Sequence, residues 1–225
     1  MNPLSDQKII DSWQKNATPW TTAVRENHIE SRKLVTNQAI VDTVIAVDPK
    51  TVLDIGCGEG WLARELSTHG IHVLGLDVVP ELVEQATKAG SGRFEVMQYE
   101  ELAAGKLTER FDATVCNFSL LGKESVDGIF NIMPKLLHTS GSFIVQTLHP
   151  VMSCGDHVYE DGWREGSWQG FSSDFTDPAP WYFRTIETWV TMFRESYFQI
   201  AEIREPVNQH TGKPASIILV GRLIS

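Results

Sequence analysis

A short apolar run that begins at Thr51 leads directly into three closely spaced glycines, Gly56, Gly58 and Gly60. Glycine allows a tight turn and lets a ligand lie against bare backbone. The helix expected after the turn begins with N–H groups that have no partner within the helix. A second apolar run ends on Asp77, where a carboxylate can accept hydrogen bonds from both hydroxyls of a ribose. The spacing therefore predicts a ligand site at the ends of two neighbouring strands.

Two features distinguish this turn from other glycine-rich turns. The dinucleotide pattern G-x-G-x-x-G requires glycine at position 61, where this chain has Trp61. Asp54 lies within the strand just before the turn, where it either holds the loop by accepting its N–H groups or reaches toward a ligand cation. A strand-to-helix turn with no ligand is the alternative interpretation of the glycines.

The elements that must position these residues alternate between strand and helix. Strands are predicted at 51–55, 73–76, 93–96, 113–116, 142–147, 198–204 and 216–222. Helices are predicted at about 60–68, 80–88, 100–104, 125–138 and 184–196. The alternation predicts an α/β fold of three layers, Rossmann-like, with a seven-stranded, mostly parallel sheet and right-handed crossovers. The last two strands are separated by a turn-rich segment and are predicted to pair antiparallel, so the last strand runs against the others.

The N-terminal part and one inserted segment differ from this alternation. Residues 4–47 have helical periodicity, with Thr18 predicted as a helix cap and Pro19 in the first turn. Pro134 predicts a kink or a late start in the helix at 125–138. The sequence thus predicts a helical cap at 1–48 and a main domain at 49–225, with 148–183 inserted.

Four stretches of the sequence, in their order along the chain, resemble motifs of the class I S-adenosylmethionine-dependent methyltransferases, in the branch that acts on small molecules. The matching stretches are LDIGCGEG at 53–60, GLDVVPELVEQA at 75–86, QYEEL at 98–102 and FDATVCNFSLL at 111–121. The resemblance covers about residues 50–150 and implies the methyltransferase fold and the cofactor S-adenosylmethionine. It implies methylation of an oxygen or nitrogen on a small molecule, without identifying that molecule.

The resemblance also implies roles for individual residues. Gly56, Cys57 and Gly58 would lie under the methionine part of the cofactor, with Asp54 and the carbonyl of Asn117 near its amine. Asp77 would bind the ribose, Val78 would pack on adenine, and Gln98 and Tyr99 would meet the adenine edge. Family members often have Asp where Gln98 stands in this sequence. Two N-terminal residues complete the predicted set: Trp20 to close the site and Arg32 to pair with the methionine carboxylate, with a surface salt bridge as the alternative.

The acceptor side is predicted from the inserted segment 148–183, which is long, irregular and rich in aromatic residues. Ordered aromatic side chains over a crevice would form a substrate lid that keeps the site dry, while a small satellite core is the alternative. The predicted substrate-binding residues are Trp163, Arg164, Trp181, Tyr182 and Arg184.

His149, at the end of the fifth predicted strand, is the candidate general base, because an imidazole titrates near neutral pH. The alternative is a histidine that only binds backbone at a strand end. The acidic cluster at 156–161 lacks the spacing of metal ligands, so no metal is predicted.

Composition limits the class of partner. The chain has 19 Lys and Arg against 29 Asp and Glu, a formal net charge of −10, which disfavours nucleic-acid binding. It contains no apolar run of roughly eighteen residues and no signal-peptide pattern, and its three cysteines form no CxxC pair. The sequence predicts a cytoplasmic protein with a small-molecule substrate and leaves the oligomeric state open. The alternatives are a nucleotide-dependent oxidoreductase and a non-catalytic protein that binds S-adenosylmethionine.

Overall fold

A seven-stranded sheet forms the centre of the fold in the computed structural model, which describes residues 2–224. Its strands are β1 (Thr51–Ile55), β2 (His72–Asp77), β3 (Arg93–Val96), β4 (Phe111–Asn117), β5 (Leu137–Thr147), β6 (Phe198–Arg204) and β7 (Ile217–Leu223). They lie in the order β3-β2-β1-β4-β5-β7-β6, and β7 is antiparallel to both of its neighbours. The predicted mostly parallel sheet with an antiparallel last strand is confirmed.

Helices cover both faces of the sheet. They are α1 (Asp6–Lys15), α2 (Ala17–Arg25), α3 (Asn37–Ala46), α4 (Trp61–Thr68), α5 (Pro80–Ala89), α6 (Tyr99–Ala103), α7 (Glu124–Leu136), α8 (Pro150–Ser153) and α9 (Ile186–Glu195). Helices α3 and α4 pack on one face of the sheet, while α6, α7 and α9 pack on the other. Because the central strands are buried on both faces, their side chains are apolar in both directions, as expected for a parallel sheet.

Two local predictions in the helices differ from the structure. Asn16, not Thr18, precedes α2, because α1 ends at Lys15 and the same Asn16 closes one helix and opens the next. Thr18 instead donates a hydrogen bond from its hydroxyl to Glu81 of α5. Helix α7 begins at Glu124, with no late start, and contains Pro134 in its last turn, where the proline lacks the N–H that would bond to the carbonyl of Phe130.

The segment between β5 and α9 is mostly irregular and packs onto α1. It contains α8 and a two-stranded ribbon in which Gly162–Arg164 pairs antiparallel with Trp181–Phe183. Asp177 accepts hydrogen bonds from Lys8 and Lys15 of α1. No helix within residues 2–224 is both long and apolar enough to cross a membrane.

Phe193 lies at the centre of the aromatic core beneath the antiparallel strand. Its ring contacts those of Phe130, Phe143 and Phe198, and its Cδ1 atom lies 2.5 Å from where a side chain on Gly221 would begin. We expect Phe193→Ala to lower the free energy of unfolding by about 3–5 kcal/mol, measured by urea denaturation, because the cavity cannot collapse against a rigid sheet. The control Val158→Ala, at a side chain that is 70% exposed, should change it by less than about 0.5 kcal/mol. A loss below about 1 kcal/mol for Phe193→Ala would contradict this account of the core.

Candidate functional site

A cavity of about 470 Å³ opens at the carboxyl edge of the sheet, above β1, β2 and β4. Ligands bind at this edge in open α/β folds because the strand-to-helix turns meet there. The cavity is lined by ten of the predicted site residues: Trp20, Arg32, Asp54, Gly56, Cys57, Gly58, Asp77, Val78, Tyr99 and Asn117. A second cavity, of about 490 Å³, lies at the opposite edge beside Thr51 and His72, away from all of these residues.

The turn between β1 and α4, residues 56–60, forms the floor of the cavity and is called the glycine loop below. The N–H groups of Gly56 and Cys57 donate to the carbonyl of Leu76 at 2.7 and 2.9 Å, which ties the loop to β2. Gly56 and Gly58 have φ angles of +77° and +57°, in the left-handed region that glycine occupies without strain. A side chain on Gly56 would begin 2.3 Å from Cβ of Ser119, so this position must stay bare.

Asp77, the last residue of β2, binds the glycine loop as well as facing the cavity. Its two carboxylate oxygens accept hydrogen bonds from the N–H groups of Gly58 and Val79, both at 2.9 Å. Burial raises the pKa of Asp77, and these backbone hydrogen bonds oppose the rise. A carboxylate oxygen can accept more than one hydrogen bond, so Asp77 keeps acceptor capacity toward a ligand.

Asp54 is the most deeply buried of the carboxylates that line the cavity. It is 1% exposed, and no group within residues 2–224 makes a hydrogen bond to its Oδ2 atom. Burial, and to a lesser extent the charge of Asp77, raises the pKa of Asp54 to about 7. A buried carboxylate without a partner is destabilising by itself, so this arrangement favours a cationic ligand beside Asp54.

The last residue of β4 supplies a further acceptor. The side-chain oxygen of Asn117 is buried and has no hydrogen-bond partner in the part of the chain that the structure describes. The hydroxyl of Tyr99 donates to the carbonyl of Ser119 at 3.1 Å, and the Ser119 hydroxyl donates to the carbonyl of Ile55 at 2.6 Å. These bonds fix the end of β4 against the glycine loop.

Arg32 is the cation of the site and belongs to a π-helical turn, Arg32–Thr36, that precedes α3. Its guanidinium lies 4.8 Å from the ring centre of Trp61 and 5.4 Å from that of Trp20. Burial lowers the pKa of Arg32 to about 10, and the negative charge of Glu59 opposes this shift. Its Nη2 atom is buried and lacks a hydrogen-bond partner among residues 2–224, so it can bind an anionic group of a ligand.

Gln98 and His149 are not brought to the cavity. Gln98 is exposed and caps α6, where its backbone N–H donates a hydrogen bond to the Glu101 carboxylate at 3.0 Å. His149 is buried with its Nε2 atom 2.6 Å from Oε1 of Glu205, outside the cavity lining. The neighbouring Leu148 lines the cavity instead, because successive residues of an extended chain point to opposite sides.

The five predicted substrate-binding residues also lie outside the lining, on and beside the ribbon behind the loop that follows β4. Trp163 packs edge-on against Tyr182, and Trp181 packs in the same way against Phe183. Arg164 donates to the carbonyls of Val158 and Glu160 within its own segment. The Arg184 guanidinium is buried and donates to the carbonyl of Gly122 at 2.8 Å, so it holds the cavity wall from outside.

Several lining residues were missing from the predicted site. They are Asp6, Ile9 and Ile10 of α1, while Trp168 and Phe171 line the cavity from the inserted segment that is predicted as a lid. The amphipathic pattern of α1 could have identified an apolar face, but the pattern alone does not say that this face covers the cavity. Residues 2–224 contain no group of three His, Cys, Asp or Glu side chains placed to hold a metal ion.

Comparison with known proteins agrees with this geometry. Residues 52–141 match a family model described as a methyltransferase domain. A ubiquinone biosynthesis O-methyltransferase from Xylella fastidiosa is 31% identical over 114 residues, which are 48% of this chain and 46% of that protein. The matched part of this chain therefore spans less than half the length of that curated relative.

Two solved structures show the same fold. An S-adenosylmethionine-dependent methyltransferase from Mesorhizobium loti superposes with a TM-score of 0.62 at 22% identity, covering 80% of this chain and 96% of the other. A 1,6-didemethyltoxoflavin-N1-methyltransferase from Burkholderia thailandensis, bound to 1,6-didemethyltoxoflavin and S-adenosylhomocysteine, gives a TM-score of 0.63 at 16% identity. That superposition covers 94% of this chain and 88% of the other.

The matched segment contains the glycine loop, Asp54, Asp77 and the end of β4, which are the parts that form the floor of the cavity. The sheet order and the antiparallel β7 agree with the solved neighbours across the rest of the fold. Residues 52–141 are therefore similar to a methyltransferase domain, and the fold as a whole is that of solved S-adenosylmethionine-dependent methyltransferases.

Proposed function

We propose that this protein transfers a methyl group from S-adenosylmethionine to an oxygen or nitrogen of a small, uncharged acceptor. The observation that carries the proposal is the buried Asp54 carboxylate, which has an unpartnered oxygen and lies near a second buried carboxylate, Asp77. Two buried negative charges at one end of a cavity favour a ligand that brings positive charge. The cofactor, when bound, supplies a methyl group already activated on a positively charged sulfur.

The groups present in the cavity fit this cofactor. Asp54 and Asn117 offer acceptors for its amine, and Arg32 offers a donor for its carboxylate. Asp77 offers acceptors for the ribose hydroxyls, while Val78 and Tyr99 offer surfaces for the adenine. The bare backbone of Gly56 and Gly58 leaves room for the methionine part above the floor.

The same charges argue against the dinucleotide alternative. A dinucleotide places a pyrophosphate against the glycine loop, and Asp54 at the end of β1 would repel that group in a medium of low dielectric. Trp61 also stands where the dinucleotide pattern requires glycine, and its ring is covered by the Arg32 guanidinium.

The acceptor half of the cavity supports an uncharged acceptor. Its walls include Ile9, Leu121, Leu148, Trp168 and Phe171, which are apolar or aromatic. Asp6 also lines it, with its charge partly offset because both of its carboxylate oxygens accept backbone hydrogen bonds. A charged acceptor would lose most of its hydration against walls that are otherwise apolar.

The protein's contribution to methyl transfer is then alignment of the acceptor and exclusion of water. A general base is needed only for an acceptor that carries a proton at the reacting atom. His149 contacts Glu205 and lies outside the cavity lining, so it is not placed to act as this base.

Calorimetry tests the cofactor assignment directly. The protein should bind S-adenosylhomocysteine and should not bind NAD⁺, because the first ligand offers Asp54 an ammonium group that donates hydrogen bonds, whereas NAD⁺ would bring its pyrophosphate toward that carboxylate. A screen of small metabolites with isotopically labelled cofactor, read by mass, then identifies the acceptor. Binding of NAD⁺ with comparable affinity would contradict the proposal.

Asp77→Asn tests the ribose contact. Losing charged hydrogen bonds to the ribose should weaken S-adenosylhomocysteine binding by about 1.5–3 kcal/mol, which calorimetry measures. Glu100→Gln is the matched control, because Glu100 lines the same cavity but is exposed. Unchanged affinity in a folded Asp77→Asn protein would remove Asp77 from the site.

Asp54→Asn should have opposite effects on folding and on binding. The folded-state pKa of Asp54 is about 7, against an ordinary value of 3.8, so the unfolded state loses this proton first as pH rises. Ionisation of Asp54 therefore destabilises the ligand-free protein progressively from about pH 4 to above pH 7, by on the order of 4 kcal/mol at about 1.4 kcal/mol per pKa unit.

Urea denaturation of Asp54→Asn at pH 8 should thus show a higher free energy of unfolding than wild type, with little difference remaining at pH 4. Calorimetry should show weaker S-adenosylhomocysteine binding, because an amide has no negative charge to pair with the ammonium group of the ligand. A variant that is less stable at pH 8 would show that the Asp54 carboxylate supports the fold rather than the ligand.

Arg32→Met tests the carboxylate contact by comparing two ligands. S-adenosylhomocysteine has the methionine carboxylate, while 5′-methylthioadenosine lacks both the carboxylate and the amine. Arg32→Met should weaken binding of the first by about 10- to 150-fold and leave the second nearly unchanged. Arg204→Met is the control, since Arg204 contacts Glu202 of its own strand, outside the cavity lining. Equal losses for both ligands would show that Arg32 only supports the cavity wall.

A further inference from the structure

The loop that joins β4 to α7, residues 118–123, forms the wall of the cavity opposite the glycine loop. Phe118, Ser119, Leu121 and Gly122 all line the cavity. Phe118 has a φ angle of +54°, which is unusual for a residue with a side chain and indicates that surrounding contacts determine the loop's shape. These contacts come from two distant parts of the chain.

Asp6, in the first turn of α1, holds the N–H groups at the end of this loop. Its Oδ1 atom accepts from the backbone N–H of Lys123 at 2.8 Å, and its Oδ2 atom accepts from that of Ser125 at 2.7 Å. These N–H groups belong to the N-terminus of α7 and have no partner within that helix. Asp6 therefore performs, from another helix, the function that a local capping side chain usually performs.

Gly122 is shaped to admit this carboxylate. A side chain on Gly122 would begin 2.7 Å from Oδ1 of Asp6 and 2.3 Å from the hydroxyl of Ser125. The residue is not among the glycines with positive φ, so its backbone conformation does not require glycine. The space taken by the Ser125 hydroxyl and by the Asp6 carboxylate does, so the close approach of Asp6 depends on the missing side chain at Gly122.

The carbonyl groups of the same loop are held from the other side. Arg184 donates to the carbonyls of Gly122 and Lys123 at 2.8 and 3.1 Å, and the N–H of Tyr182 donates to the carbonyl of Leu121 at 2.7 Å. This side of the loop is fixed by a buried residue of the main domain. Among the hydrogen bonds of residues 2–224, the two made by Asp6 join α1 to this loop. Removing them would leave the loop held on one side.

Helix α1 also carries part of the inserted segment with it. Asn16 exchanges two hydrogen bonds with the backbone of Thr176, at 2.8 and 2.9 Å, and the Ser12 hydroxyl donates to the carbonyl of Asp177 at 2.6 Å. Trp13 of α1 packs edge-on against Trp168, and both rings line the cavity. Helix α1 and residues 168–177 thus form one unit over the cavity, called the strap below.

We propose that Asp6 is a positioning residue that latches the strap to the loop at 118–123. Closing the strap over the cofactor and ordering the acceptor wall then become a single event, because both depend on the two hydrogen bonds of Asp6. The inference rests on the proposed function for its ligand. Opening of the latch is the step that lets the cofactor product leave.

The test measures how fast S-adenosylhomocysteine dissociates, by stopped-flow tryptophan fluorescence, since Trp13, Trp20 and Trp61 line the cavity. Asp6→Ala should release it at least about 10-fold faster, because two hydrogen bonds to a charged group are lost. Asp6→Asn should lie between Asp6→Ala and wild type, because its amide oxygen still accepts. Asp11→Ala is the matched control: it removes the same charge from α1, and its contact is with Gln7 of the same helix.

Gly122→Ala tests the latch from the opposite side. It should accelerate release as Asp6→Ala does, because the added methyl group occupies the space of the carboxylate. Combining it with Asp6→Ala should accelerate release little further, since both changes open the same contact. Independent, multiplying effects would contradict the latch. This variant also keeps the test decisive if Asp6→Ala folds poorly.

Hydrogen exchange of the ligand-free protein separates failure of the latch from failure of the proposed function. Exchange should accelerate in α1 and at 118–126 in Asp6→Ala, but not in Asp11→Ala, and β1 should stay protected. If wild type binds no S-adenosylhomocysteine, the proposed function fails and this exchange pattern alone decides the latch. Wild-type release rates in Asp6→Ala, or exchange that accelerates throughout the sheet, would overturn it.

Discussion

The backbone of the glycine loop is approached from three sides by side chains from distant parts of the chain. Ser119, after β4, occupies the space above Gly56, and the indole of Trp20 lies 3.5 Å from where a side chain on Gly58 would begin. Phe94 of β3 and Ala86 of α5 close in on Gly60 in the same way. The absence of side chains at these three glycines therefore determines how closely β3, β4, α2 and α5 converge on the loop, and with it the shape of the cavity floor.

Charge is distributed around this floor in a way that stability alone does not explain. Glu59, within the loop, is fully buried but is paired with Arg25 and Arg64. Asp54, only five residues earlier, is equally buried and has an oxygen without a partner in the described structure. Glu59 shows that a structural carboxylate in this loop is paired with arginine. The unpaired oxygen of Asp54 therefore favours a role in ligand binding.

The N-terminal helices complete the site, although they lie outside the segment that matches the family model. Arg25 anchors α2 to the glycine loop through Glu59, and Asp6 anchors α1 to the opposite wall at α7. Between these anchors, Trp13 and Trp20 pack edge-on over the ends of the central strands, at 5.0 Å between ring centres. The segment that matches the family model thus forms the floor of the cavity, while the part of its lining that includes Asp6 and Trp168 is built from segments outside that match.

The sequence by itself determined the sheet, its one antiparallel strand and most residues of the cavity floor, because those features depend on short-range patterns. Glycine spacing, strand-end acids and apolar periodicity are readable within about ten residues of chain. Only the tertiary structure decided which side chains meet across long separations. Asp6 reaches α7 over more than a hundred residues, and Arg184 turns to the back of the cavity wall instead of its interior. The side that an aromatic or basic residue faces in an irregular segment depends on packing, because such a segment has no period that links sequence position to direction.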